Sequence, residues 1–169
     1  HLLSRRQRQM CIRDRAGAGA LVEVLTGAQN PCGKLAETWA RSYADTPAKA
    51  HFGGDGPTVE YREGLYVGYR YYDTTEADVL FPFGHGLSYT TFEYSVLRLS
   101  RSTVREGEEV QVTVTVKNTG AVAGKETVQL YVAPPKGERH RPVRELKGFA
   151  KVSLQPGAVS YTHLTLPTT

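Results

Sequence analysis

Cysteine is scarce in this sequence, which excludes two common ways of stabilising a small domain. The 169 residues contain only Cys11 and Cys32, in different regions of the chain. One cysteine in each region predicts neither a disulfide framework nor a cysteine-ligated metal site. The histidines are scattered without the spacing of metal ligands. We therefore expect no metal and no cofactor.

Long apolar runs are also missing. No stretch of about 18 apolar residues is present, so the sequence predicts no membrane span. No targeting segment is readable, and the first residue is His1, not methionine. We therefore expect the true start of the gene product to lie upstream. Localisation stays open between a bacterial cytoplasmic protein and a secreted one, and the oligomeric state is equally open.

An excess of positive charge is confined to one end. Residues 1–15 contain five arginines against the single acid Asp14, whereas the rest of the chain carries 16 basic and 16 acidic side chains. A basic arm can bind nucleic acid through phosphates. No aromatic residue is interleaved with these arginines to stack on bases. We therefore predict no nucleic-acid partner.

The two ends differ in character from the middle. HLLSRRQRQMCIRDR at 1–15 and VSYTHLTLPTT at 159–169 resemble translated sequencing-adapter peptides. We therefore predict a disordered, non-native arm at 1–15 and a non-native tail at 159–169, both outside the fold. The alternative is a genuine basic arm and a genuine final strand, because Tyr161, His163 and Thr165 alternate with residues of other character.

Residues 16–90 mix helix and strand signals. AGAGALVEVLT at 16–26 predicts a helix that ends near Gly27. KLAETWA at 34–40 alternates as a short strand does, with Trp39 expected in a core. The tyrosine-rich stretch 59–72 predicts an extended entry and then a helical turn around 65–72. FPFGHGLSYTTF at 81–92 predicts a packed connector.

The pattern becomes β from residue 91 onward. The clearest segment is EEVQVTVTVKN, in which Val110, Val112, Val114 and Val116 alternate with polar residues and so share one face. Alternating segments of this kind, separated by turns, are typical of a sandwich. The predicted strands are 91–99, 108–118, 126–133 and 146–154.

Several blocks together carry a family resemblance. NPCGKLAETWA is similar to a stretch of the family 3 glycoside hydrolases, with Cys32 where serine is usual. VEYREGLYVGYRYYD and FPFGHGLSYTTFEYS resemble two further blocks of that family. VKNTGAVAGKETVQLYVAPP and RPVRELKGFAKVSLQPG resemble the fibronectin type III-like domain that follows. The blocks cover about 16–158 in family order.

The resemblance implies the fold class and the domains. We expect an α/β fragment followed by an all-β part. Residues 16–90 would be the end of an α/β sandwich domain with its junction, and 91–158 a partial fibronectin type III-like β-sandwich. The family's N-terminal (β/α)₈-type barrel would be absent.

The resemblance also implies the chemistry and its place. Retaining glycosidases use two carboxylates about 5–5.5 Å apart. The family's nucleophilic Asp belongs to the barrel, and its acid/base Glu to a loop upstream of this sequence. Neither motif has a counterpart here, so we assign no catalytic residue and leave the substrate-binding residues unknown.

Glu60 and Glu63, in the tyrosine-rich block, are the best local candidates for sugar chemistry. The structural alternative is that Glu63 pairs with Arg62 or Arg70, or caps the following turn, while the tyrosines pack an inter-domain seam. We favour the structural alternative, because a single acid cannot run a two-step displacement.

Three further features have a functional and a structural interpretation. Trp39 is expected as a core anchor, with a sugar platform as the alternative. His85 is expected to pack or hydrogen-bond at the junction, with catalysis as the alternative. The basic loop 136–144 is expected to be solvated, with acidic partners as the alternative.

These observations predict a fragment of a retaining β-glucosidase acting on terminal β-D-glucosyl residues, inactive on its own. Its partner in the intact enzyme would be a β-glucoside or oligosaccharide. β-Xylosidase or a related specificity is the alternative within the family. A non-catalytic module for packing, or for binding glycan or protein, is the alternative from another class.

Overall fold

The computed structural model describes residues 17–53, 57–135 and 141–167. The first part of the chain holds short elements. Helix α1 spans Gly17–Leu25, strand β1 spans Trp39–Ala40, helix α2 spans Tyr69–Thr74 and strand β2 spans Val79–Phe81. A 3₁₀ turn at Tyr43–Asp45 follows β1. Strands β1 and β2 pair antiparallel, with Trp39 opposite Phe81.

The second part forms two facing antiparallel sheets. Its strands are β3 (Phe92–Leu99), β4 (Glu109–Asn118), β5 (Gly124–Val132), β6 (Glu145–Leu154) and β7 (Val159–Pro167). One sheet has the order β3-β4-β7, and the other contains β5 and β6. This arrangement confirms the predicted succession of an α/β fragment and a β-sandwich.

Strand β7 shows that the prediction for the C-terminal end of the chain was wrong. We expected 159–169 to lie outside the fold, but Val159–Pro167 pairs with β4 along its length, from Lys117 opposite Val159 to Glu109 opposite Pro167. The alternation of Tyr161, His163 and Thr165 was the signal for this strand. All three point away from the core, whereas Thr162 between them is buried.

The core of the sandwich follows from the valine alternation in β4. Val116 is fully buried and contacts Val128 of β5 and Leu154 of β6. Val110 and Val112 are also buried, and Val114 packs against the same cluster. Burying one such side chain contributes about 1.5–3 kcal/mol. The predicted face of β4 is therefore confirmed as the core face.

Asn118, at the end of β4, joins the two sheets through its side chain. Its Nδ2 donates to the carbonyls of Val122 and Leu154 at 2.8 and 3.0 Å. Its Oδ1 accepts from the Thr90 hydroxyl at 2.6 Å and from the Gly120 amide at 3.1 Å. Asn118 is completely buried. Its four hydrogen bonds satisfy the buried amide and fix how β4 leaves its sheet.

The short elements depart from the sequence prediction in position. Helix α2 lies a few residues later than the predicted turn at 65–72, because Gly68 at φ 62° precedes it and ends the irregular stretch before it. Strand β2 was not predicted separately from the connector. In the part of the chain that the structure describes, no helix has the length and apolar character needed to cross a membrane.

Candidate functional site

A seam of side-chain contacts joins the two parts of the chain, and Asn30 lies at one end of it. The Asn30 side chain donates to the Ala123 carbonyl at 3.0 Å. Its Oδ1 accepts from the Ser88 hydroxyl and from the Tyr89 amide at 2.9 and 2.8 Å. One side chain thus ties the turn before β1, the connector and the start of β5. Three hydrogen bonds from one half-buried side chain hold these segments in a fixed relative orientation.

Aromatic rings fill the other end of the seam. Tyr69 of α2 stacks on Phe83 of the connector, with ring centroids 4.7 Å apart, and meets Tyr131 of β5 edge-on at 6.0 Å. The Leu146 amide of β6 donates to the Tyr69 hydroxyl at 2.7 Å. Tyr69 therefore combines apolar packing with one directional bond, which is how a partly buried tyrosine anchors an interface.

Ion pairs surround these rings. Arg70 lies 3.3 Å from Glu145, and Arg144 donates to Asp73 at 2.8 Å while its guanidinium stacks over the Tyr131 ring. A hydrogen bond from Lys147 holds the pKa of Glu145 below its ordinary value, and the charge of Arg70 adds to the effect. Both charged pairs connect α2 to the sandwich.

Glu126 of β5 is a buried carboxylate at the same seam. Lys34 lies 3.2 Å from its Oε1, and the Tyr94 hydroxyl donates to that oxygen at 3.0 Å. Burial raises the pKa of the Tyr94 hydroxyl, and the neighbouring Glu126 charge raises it further. Glu126 was not among the residues predicted from the sequence to have a functional role. A lone acid in an otherwise apolar strand face was the available signal.

A cleft of about 520 Å³ lies beside the seam, in the first part of the chain. It is lined by the turn 47–52, by the irregular stretch 59–63 and by side chains from α2 and from the residues on either side of that helix. Those side chains are Tyr66, Tyr71, Thr74 and Thr75. Both carboxylates singled out from the sequence line this cleft, so the structure brings Glu60 and Glu63 together with the tyrosines.

The charged neighbours of these two acids differ from the expected ones. Arg62 pairs with Glu60, and Arg70 pairs with Glu145 across the seam, so the expected pairing of Glu63 with either arginine is wrong. The Glu63 carbonyl accepts from the Tyr66 amide at 3.0 Å and closes the turn through its main chain. Burial raises the pKa of the Tyr72 hydroxyl, and the nearby Tyr71, Asp45 and Glu63 raise it further.

Trp39 and His85 lie together on a different surface. Trp39 is 48% exposed and contacts Phe81 edge-on at 6.0 Å, so the expectation of a core anchor is wrong for this chain. The His85 ring packs on the Phe81 ring, with centroids 5.0 Å apart, and the His85 carbonyl accepts from the Leu35 amide at 2.8 Å. His85 therefore occupies a packing position in the junction.

Other predicted features fall partly or wholly outside the described residues. Cys11 and the arm 1–15 lie outside them, as does most of the basic loop 136–144. Arg144, at the end of that loop, is bound at the seam and is not free in solvent. Cys32 is a free thiol whose Sγ accepts from Lys151 at 3.4 Å. Over 17–53, 57–135 and 141–167, no group of three potential metal ligands occurs.

Comparison with known families matches both parts of the chain. The model of the glycosyl hydrolase family 3 C-terminal domain matches residues 9–89. The model of the fibronectin type III-like domain matches residues 126–169. The chain belongs to glycoside hydrolase family 3, of which it carries the C-terminal domain followed by a fibronectin type III-like domain.

The individual relatives are β-glucosidases by name. The chain is 52% identical over 148 residues to thermostable beta-glucosidase B of Acetivibrio thermocellus, a match that covers 88% of this chain and 20% of the relative. It is 52% identical over 141 residues to probable beta-glucosidase I of Aspergillus niger, covering 81% and 17%. The chain thus spans about a fifth of the length of the curated relatives it matches.

Solved structures resemble the chain closely. Beta-glucosidase 3B of Thermotoga neapolitana, solved in complex with glucose, superposes with a TM-score of 0.80 at 45% identity, covering 87% of this chain and 21% of that one. The GH3 beta-glucosidase of Bifidobacterium adolescentis gives a TM-score of 0.83 at 43% identity, covering 90% and 22%.

Proposed function

We propose that this chain is the C-terminal part of a retaining β-glucosidase that acts on terminal β-D-glucosyl residues. In that enzyme it serves as a brace that holds the domains together, and the reacting carboxylates come from elsewhere in the protein. The substrate of the whole enzyme is a β-glucoside or oligosaccharide. The observation that carries the proposal is the bonded seam, combined with the absence of a facing pair of free carboxylates among the described residues.

Several carboxylates in the chain form ion pairs with basic side chains. Glu60, Asp73, Asp78, Glu126 and Glu145 each lie beside an arginine or a lysine. A general acid in a glycosidase needs a raised pKa, which requires an apolar pocket or a second carboxylate nearby. The pKa of Glu145 moves in the opposite direction. These acids suit structural ion pairs better than proton transfer.

The seam supports the bracing role. It joins the two parts through Asn30, through the Tyr69 ring stack and through the pairs of Arg70 and Arg144. Partly buried pairs with several shared hydrogen bonds set orientation more than they add stability. A rigid joint of this kind holds the sandwich in a fixed orientation relative to the α/β part and to any domain that packs on it.

A chimeric enzyme tests the proposal. The corresponding C-terminal segment of the Acetivibrio thermocellus β-glucosidase B is replaced by residues 17–167 of this chain. We expect hydrolysis of an aryl β-glucoside within about ten-fold of the parent, because the catalytic groups stay with the parent and the brace is 52% identical over the matched residues. The 169-residue chain alone should show no turnover above a vector control.

Two variants make the test specific to the seam. Tyr69→Ala in the chimera removes the ring stack and the Leu146 bond, and we expect a large loss of soluble, active enzyme. Tyr161→Ala, on the outer face of β7, is the matched control and should behave as the unchanged chimera. A folded chimera without activity, or turnover by the chain alone that is lost in Glu63→Gln, would overturn the proposal.

A further inference from the structure

The cleft beside the seam has an unusual combination of aromatic surface and exposure. Tyr61 is 92% exposed and Phe52 is 75% exposed, and both line it. Scattered exposed apolar residues need no explanation, but aromatic residues grouped around one concavity mark an interaction site. Its volume of about 520 Å³ lies within the range of small-molecule pockets.

The walls of the cleft are fixed by local structure. Thr74 of α2 and Thr75, the residue that caps its C-terminus, lie three and four positions after Tyr71, so the three side chains share one face. The Thr74 and Thr75 hydroxyls bond back to helix carbonyls at 2.6 and 2.9 Å. Across from them, the Phe52 amide donates to the Ala48 carbonyl and closes the turn that carries this ring.

The charges in the cleft disfavour an anionic ligand. The guanidinium of Arg62 is already paired with Glu60, and Glu63 adds a second carboxylate to the lining. An anion such as a phosphate would meet an excess of negative charge. The Glu60 and Arg62 side chains remain about 60% exposed, so they can still exchange hydrogen bonds with hydroxyl groups.

We propose that this cleft is a binding site for a neutral mono- or disaccharide. A pyranose presents an apolar face of C–H groups, which Tyr61 and Phe52 are placed to cover, and a rim of hydroxyls. The carboxylates and the guanidinium supply acceptors and donors for that rim. The choice of a β-glucoside as the first ligand rests on the proposed function, whereas the exclusion of an anionic sugar follows from the charges of the lining.

Saturation-transfer NMR with cellobiose tests the site on the full chain. The chain is fused to a carrier without sugar affinity, and the carrier alone is the blank. We expect saturable binding to the wild-type chain and a loss of affinity of about ten-fold or more in Tyr61→Ala, because the ring supplies the stacking surface. Phe52→Ala should weaken binding similarly. Phe149→Ala is the matched control, since Phe149 is an exposed ring of β6 that does not line the cleft.

Each outcome separates the explanations. Absence of saturable cellobiose binding, or equal losses in Tyr61→Ala and Phe149→Ala, overturns the inference. Tyr61-dependent binding of an apolar dye without binding of cellobiose overturns it too, and identifies a protein contact surface instead. An active chimera with no sugar binding by the chain refutes this inference alone. An inactive folded chimera with Tyr61-dependent binding refutes the proposed function alone.

Discussion

Asn118→Ala is the substitution that probes the sandwich most directly. The asparagine amide holds four groups: the carbonyls of Val122 and Leu154, the hydroxyl of Thr90 and the amide of Gly120. Alanine removes both the donor and the acceptor while leaving these four partners in place. We expect the free energy of unfolding of the chain to fall.

The magnitude follows from which partners stay buried. Thr90 and Leu154 are buried, whereas Val122 is 44% exposed and can turn to water. Each buried group left without a partner costs about 1–3 kcal/mol, so two such groups and the lost packing give about 4 kcal/mol. That is a large share of the stability of a domain of this size.

Urea denaturation followed by far-ultraviolet circular dichroism measures the effect. The matched control is Thr119→Ala, which changes the next residue in the chain but removes only exposed hydrogen bonds to Thr91 and should cost less than about 0.5 kcal/mol. The dependence on urea must stay unchanged for the two values to be compared. A loss in Asn118→Ala below about 1 kcal/mol, or one equal to the control, would refute the reasoning.

Two further predictions concern packing and acid stability. In Gly124→Ala a new Cβ would lie 2.6 Å from the Thr90 methyl, so we expect a loss of about 1–3 kcal/mol in urea denaturation. Gly19→Ala in α1, with nothing within 4 Å, should instead gain about 0.5–1 kcal/mol, and the same sign for both would contradict the packing argument. The lowered pKa of Glu145 means that its charged form stabilises the fold above pH 4.5 and that this contribution is lost as pH falls further. Glu145→Gln should therefore lower the free energy of unfolding at neutral pH and reduce its fall at acid pH. If its pH dependence stayed unchanged in this variant, the hydrogen bond from Lys147 would not have the proposed role.

Local patterns predicted most of the architecture. The alternation of Val110 to Val116 identified β4 and its buried face, because a strand places every second side chain on the same side. The alanine-rich start identified α1. These predictions held because each depends only on residues within one element.

The site was harder to predict, because its contacts join distant positions. Arg62 forms an ion pair with Glu60. Arg70 forms one with Glu145, which lies 75 residues away in the chain. The exposure of Trp39 likewise depends on what packs beside β1, which periodicity does not report. Sequence spacing favours ion pairs between charges that are close in the chain, and it does not identify a partner on another strand.

The sequence by itself determined the order of the parts, the family and the inward face of the longest strand, since these depend on residue type and short spacing. Only the tertiary structure decided that Val159–Pro167 completes a sheet, that Asn118 binds both sheets and that the tyrosine-rich block opens into a cleft. Those features arise where segments far apart in the chain meet. Hydrogen bonds and burial at such meetings depend on geometry that no local pattern contains.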